Sequence, residues 1–294
     1  MSSFLDRFSQ AGLPQSGPPA GLQLLLDRPC PADESAIAEA VRLFHPDLSQ
    51  AVVEWVDAGS FPLPPELGGE GPPAKNLGLV SWGRHIIKLA GFDEPMPPGP
   101  LSRTLAHTLF VPASLKAVAQ EHKAHLLFDY AGSDPDPLNR FTALAAVVGA
   151  LANFGGIVAL NEESRACVPA AALQPEDDRE DILDVLRQLP LPYLYTGFAK
   201  MELSDPPGKV WYRTFLNSRF GLPNLARTGT HEEFTSTFQL FSALSNYLRE
   251  TQLDVLPGET IRVDEERFFV ARSPNDKEWY LDSEEGITLV LENG

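Results

Sequence analysis

The chain has 294 residues, 43% hydrophobic and 21% charged, enough for one large domain or two ordinary ones with full cores. Lys and Arg total 23 against 40 Asp and Glu, and the resulting net charge of −17 disfavours nucleic acid and anionic lipid and suits either solubility or a basic protein partner. Its two cysteines, Cys30 and Cys167, lie far apart in apolar neighbourhoods, so reduced thiols and a cytoplasmic setting are expected rather than a disulfide framework.

The opening residues, MSSFLDRFSQAGLPQSGPPAG, lack a basic segment followed by an apolar run. They read as a flexible leader over 1–20 rather than a secretory signal. GLQLLLD predicts a first strand, and PADESAIAEAVRLFHPD a helix that Asp33 or Ser35 can cap and Pro46 closes. QAVVEWVDAG predicts a second strand. The Pro/Gly-rich stretch 61–74 is a loop, either a flap or disordered. NLGLVSWG and RHIIKLAGF form a hairpin with Gly83 near its turn, and helical material from Leu101 to Glu121 breaks at Pro112.

Phe141 to Leu160, FTALAAVVGALANFGGIVAL, carries no charge and is long enough to span a bilayer. Its internal signals point elsewhere. Asp136 and Pro137 start a helix, and Asn153 with Gly155-Gly156 stops it. GIVAL then reads as a buried strand. With AHLLFDYAG ahead of the helix, Ala124 to Leu160 becomes a β-α-β unit. Ala145, Ala146, Gly149, Ala150 and Ala152 would let its helix lie close on a sheet.

Beyond RACVPAAAL the composition turns acidic. QPEDDREDILDVLRQLPLP predicts an acidic helix over 175–189, with Ile182, Leu183, Leu186 and Leu189 facing a core. YLYTGFAKMEL and KVWYRTFLN are aromatic strands joined through SDPPG. THEEFTSTFQLFSALSNYLRE is a helix with Phe234, Phe238, Phe241 and Leu248 along one side. ETIRVDEERFFVARS gives two strands around an acidic turn, and GITLVLENG a final edge strand. The expected fold is α+β, with mixed and antiparallel sheets and helices packed on one face. Its sub-domains are 21–172 and 190–294, joined by the acidic helix.

HKAHLLFDYAG…DPLNRFTALAAVVGALANFGGIVAL, followed by FGLPNLARTGTHEEFTSTFQLFSALSNYL…LPGETIRVDEERFFVARSP, resembles the bacterial family catalogued as Domain of Unknown Function 4261. The shared features are a G-L-P element, a helix ending near a tyrosine and a G-[DE]-T-I element before a hairpin. The resemblance covers most of the chain from Gly21 and is most specific over Phe220 to Pro274. It implies a soluble bacterial α+β protein. The family brings no residue roles.

Few motifs point to chemistry. His122 and His125 have a metal-compatible spacing, but a change from helix to strand between them should point the rings apart. Thr230 and Glu233 in THEEF fit a capping box, and the second histidine of a zinc-protease helix is missing. Asp134 and Asp136 alternate as calcium ligands do, yet Asn139 and Ala145 stand where a calcium loop needs Gly and Glu. GGEGPPAKN lacks the Lys-Ser/Thr of a phosphate loop. No metal or cofactor is expected.

The leading expectation is a non-enzymatic protein-binding module, immunity-like or adaptor. Its surface for a basic partner would comprise Glu176, Asp177, Asp178, Asp181 and Asp184 together with Asp264, Glu265 and Glu266. The alternative is an enzyme, hydrolytic for example, with a dispersed polar site between the two halves. Neither nucleic acid nor membrane is an expected partner.

Overall fold

A computed structural model describes residues 4–10, 20–60, 73–108, 110–177, 180–203, 207–263, 268–281 and 286–294. The leader's 11–19 and most of the 61–74 loop lie outside them, as do Asp178, Asp264, Glu265 and Glu266. The chain is α+β and divides into two compact units. One comprises Met1–Glu162 with Cys167–Leu189, the other Glu163–Ala166 with Pro190–Gly294.

The first unit is built on a seven-stranded sheet of order β2-β3-β4-β5-β1-β6-β7. Its strands are β1 (Gly21–Leu26), β2 (Val52–Asp57), β3 (Asn76–Trp82), β4 (His85–Phe92), β5 (Ala124–Tyr130), β6 (Gly156–Asn161) and β7 (Ala166–Pro169). Its helices are α1 (Phe4–Gln10), α2 (Glu34–Phe44), α3 (Pro98–His107), α4 (Ala113–Gln120), α5 (Pro137–Leu151) and α6 (Ile182–Gln188). β3 and β4 form the expected hairpin, with Trp82 opposite His85 and Gly83 in the turn at a φ of 53°. The β-α-β unit is present with one insertion: β1 pairs antiparallel with both β5 and β6 and so lies between them.

The uncharged stretch resolves into α5 and β6. Asp136 caps α5 by accepting from the Leu138 amide at 2.9 Å, and the helix runs apolar on all sides because nearly its whole length is buried. After Leu151 one 3-10 turn leads to Gly155, whose φ of 96° is the left-handed stop that the glycine pair signalled. Among the described residues no helix is long and apolar enough to cross a membrane.

Helices lie on both faces of this sheet rather than only one. α2 packs on β2 and α5 on β1, β5 and β4. Strand alternation gives the opposite face to Leu25, Val158 and Leu160, which meet α3 and α4, and to Leu77 and Leu79, which meet Phe8 of α1. Gly149 marks a close approach of α5. A Cβ there would stand 2.2 Å from the carbonyl oxygen of Leu173, so at this residue the helix is tight against the 3-10 turn at Ala170–Leu173.

The second unit holds a six-stranded sheet of order β11-β12-β13-β10-β9-β8. Its strands are β8 (Gly197–Glu202), β9 (Lys209–Phe215), β10 (Asn224–Thr230), β11 (Thr260–Arg262), β12 (Phe268–Arg272) and β13 (Thr288–Asn293). α7 (Leu191–Leu194) and α8 (Phe234–Thr251) complete it. Phe198 and Tyr212 stack at 5.9 Å, and Phe234, Phe238 and Phe241 of α8 converge on Phe198. The expected final edge strand is internal instead. β13 sits between β12 and β10 and runs parallel to β10, leaving β11 and β8 as the edges.

Candidate functional site

The acidic segment is built on a shorter helix than the spacing predicts. Glu176, Asp177 and Glu180 precede α6 in a bent segment, and the helix begins only at Ile182. Asp181 sets that start, because its carboxylate accepts from the amides of Leu183 (3.1 Å) and Asp184 (3.2 Å). Buried Ile182 and Leu186 fix α6, which packs on α5, while Leu183 and Leu189 are half-buried. Glu176, Asp177, Glu180, Asp181 and Asp184 are all exposed.

Local contacts hold several of these acids. Glu180 accepts from the Glu176 amide at 3.2 Å, and Arg187 pairs with Asp184 at 3.1 Å on the exposed side. A longer-range tie was not readable from the sequence. Nδ1 of His45, just past α2, accepts from the Asp47 amide at 3.1 Å, so the neutral ring carries its proton on Nε2. That nitrogen lies 3.3 Å from Asp181 Oδ1. The C-terminal end of α2 thus meets the N-cap of α6, and the acidic segment starts from a fixed frame.

His122 and His125 do not point apart: their rings meet edge to face with centroids 6.4 Å apart. His122 Nε2 accepts from the Met96 amide at 2.8 Å and Nδ1 donates to the Ala119 carbonyl at 2.8 Å, which occupies both ring nitrogens with protein. His125 Nδ1 donates to the Glu94 carbonyl at 2.8 Å, and the ring stacks on Phe92 at 4.7 Å. Burial lowers the proton affinity of both rings. Among the described residues no cluster of three or more His, Cys, Asp or Glu could hold a metal ion.

The other candidates have local structural roles. Asp134 accepts from the Asp136 amide at 2.9 Å, so the aspartate pair serves the entry to α5. Thr230 and Glu233 form the capping box ahead of α8. Both thiols are buried and pushed up to about 12 by desolvation, which makes them poor nucleophiles at neutral pH. One pair escaped sequence reasoning because it joins β4 to β5. The Tyr130 hydroxyl lies 3.0 Å from His85 Nδ1 and accepts from the Asp134 amide at 3.3 Å. Burial disfavours both the charged imidazole and the phenolate, so this pair closes a corner as neutral groups.

Comparison of the chain with protein-family models, curated proteins and solved structures finds no match in any of the three. No residue role therefore reaches this chain from a relative.

Proposed function

We propose that the chain is a protein-binding module, of neutralising or adaptor type, that engages a basic protein through the acidic segment from Glu176 to Asp184. The observation behind this reading is exposure combined with anchorage. Glu176, Asp177, Glu180, Asp181 and Asp184 face solvent, while Ile182, Leu186 and the Asp181 cap tie the α6 end of the segment to unit 1. A fixed acidic patch on a chain of net charge −17 speeds diffusional encounter with a basic surface, and salt weakens that attraction.

The test is charge reversal at residues outside the cap. Glu176→Lys, Asp177→Lys and Asp184→Lys together leave Asp181 in place. With a basic protein captured on the full chain, the association rate of the triple variant should fall about tenfold at low salt, an effect set by steering. It should converge on the parent rate near 1 M salt, where screening acts within about 3 Å. An unchanged rate at low salt refutes the reading.

A further inference from the structure

β2 is an edge of the seven-stranded sheet, paired with β3 through residues Val52–Asp57. Two contacts show which backbone groups face away from β3. The Trp55 amide donates to Glu34 Oε2 at 3.0 Å, and the Ala51 carbonyl accepts from Arg42 Nε at 2.9 Å. A strand alternates by twos, so the amide and carbonyl of Val53 point outward with them. Glu34 and Arg42, eight residues apart on α2, thus stand where an added strand would place a carbonyl and an amide.

The same helix makes the wall of a groove. Glu34, Ala38 and Arg42 form one stripe of α2, Glu39 and Leu43 the next, and Val53 lines the groove beside them; its volume is about 420 Å³. Two large apolar side chains at this edge face solvent, Leu43 at 77% and Val52 at 58%. The acids lining it, Glu34 and Glu39, outnumber its cation, Arg42, whose charge remains whether or not it holds the Ala51 carbonyl. Past Leu43 the chain reaches His45 and its contact with Asp181, which extends negative charge beyond that end.

We propose that β2 accepts an extended segment of a basic protein partner as an added strand, laid in the groove between β2 and α2. The segment's carbonyl replaces Glu34 on the Trp55 amide, and its amide replaces Arg42 on the Ala51 carbonyl. The released Glu34 carboxylate then pairs with a Lys or Arg of the segment. Alternate apolar side chains of the segment pack against Ala38 and Leu43, since backbone pairing supplies affinity and side-chain pockets supply selectivity in this mode of recognition. Without the segment, Glu34 and Arg42 cover the edge and keep it from pairing indiscriminately. The choice of a basic occupant rests on the same charge argument as the proposed function; strand addition does not.

A displayed library of random peptides, panned on the full chain, tests this. Enriched peptides should alternate apolar residues with Lys or Arg and slow hydrogen exchange at the Val53 and Trp55 amides. Val53→Pro deletes an outward amide, a change that edge strands tolerate, and should weaken these peptides about tenfold or more. Leu43→Asp, at an exposed position, should do the same and stands in if the proline variant fails to fold. The triple reversal on the α6 segment should change peptide affinity by no more than about threefold, a screened long-range effect. Failure to enrich such peptides overturns the proposal, as does binding that leaves Val53 exchange and both variants unaffected. A dimer in sedimentation that either variant dissolves also overturns it, by making a second copy the occupant. Loss of peptide binding in the triple variant alone refutes the edge site and leaves the acidic segment standing.

Discussion

His122 and His125 are 2% and 6% exposed, and with His85 they share a proton affinity lowered by burial. Unfolded, each ring takes its proton near pH 6.5; folded, it does so only at lower pH. Over that window the unfolded chain binds more protons, so stability is fully present above about pH 6.5 and is lost as pH falls towards the folded values. Each ring contributes a slope of up to about 1.4 kcal/mol per pH unit. Urea unfolding between pH 7.5 and 5.5 should show this decline, and His122→Ala should flatten it; a flat parent profile would refute the account. Gly149→Ala offers a separate check. The helix gains up to about 1 kcal/mol from alanine, but overpacking against a backbone carbonyl typically costs about 1–3 kcal/mol. With the Leu173 oxygen 2.2 Å from the new carbon, a lowered urea midpoint is expected. The local roles at this scale were legible in the sequence, since Asp33, Asp136 and the Thr230–Glu233 pair act on amides within three residues. The Asp181–His45 and Tyr130–His85 contacts were not, because the fold brings their partners together from distant segments.

Elements with strong internal punctuation were readable: the β3–β4 hairpin, α5 between Asp136 and Gly155, and α8 behind its capping box. Strand order was not, because pairing joins segments that carry no mutual signal. That is why β1 enters the β-α-β unit and β13 lies inside its sheet. The groove went unread for the same reason, since only the sheet order makes β2 an edge. In the acidic segment, exposure was legible from the apolar spacing, but the acidic run made the helix look longer than its cap allows. Asp181→Ala should cost about 0.5–2 kcal/mol by freeing the first amides of α6. Hydrogen exchange should then speed up at Leu183 and Asp184 while β3 and β4 stay protected. Unit 2 offers a counterpart in Arg272, which donates to Glu278 at 2.6 and 2.7 Å and to Glu292 at 2.6 Å. Hydrogen bonds from Arg272 hold the Glu278 carboxyl below its usual range. Its stabilisation is present above the unfolded carboxyl value near pH 4.3 and is lost as pH falls through the lower folded one. Arg272→Met should therefore lower the urea midpoint at pH 7 by more than at pH 3.

At the scale of the whole molecule, the excess of acids decides the sign of the salt effect. Several exposed ion pairs join near neighbours, such as Arg28 with Asp27, Arg187 with Asp184 and Arg249 with Glu250. Pairs between such exposed neighbours add little to stability, so screening them removes little. The unbalanced charge of −17 acts the other way, because compact structure holds like charges closer than the unfolded chain does. Raising monovalent salt from about 0.01 to 0.15 M shortens the screening length from about 30 to about 8 Å, which reaches repulsions between distant acids before contacts between neighbours. The melting temperature should therefore rise over that range. The Glu176→Lys, Asp177→Lys and Asp184→Lys chain brings the net charge from −17 to −11, since each reversal adds two positive charges, and it should show a smaller rise. A melting temperature that falls with salt would mean that ion pairing outweighs repulsion, and the acidic surface would then act first as a stabilising network.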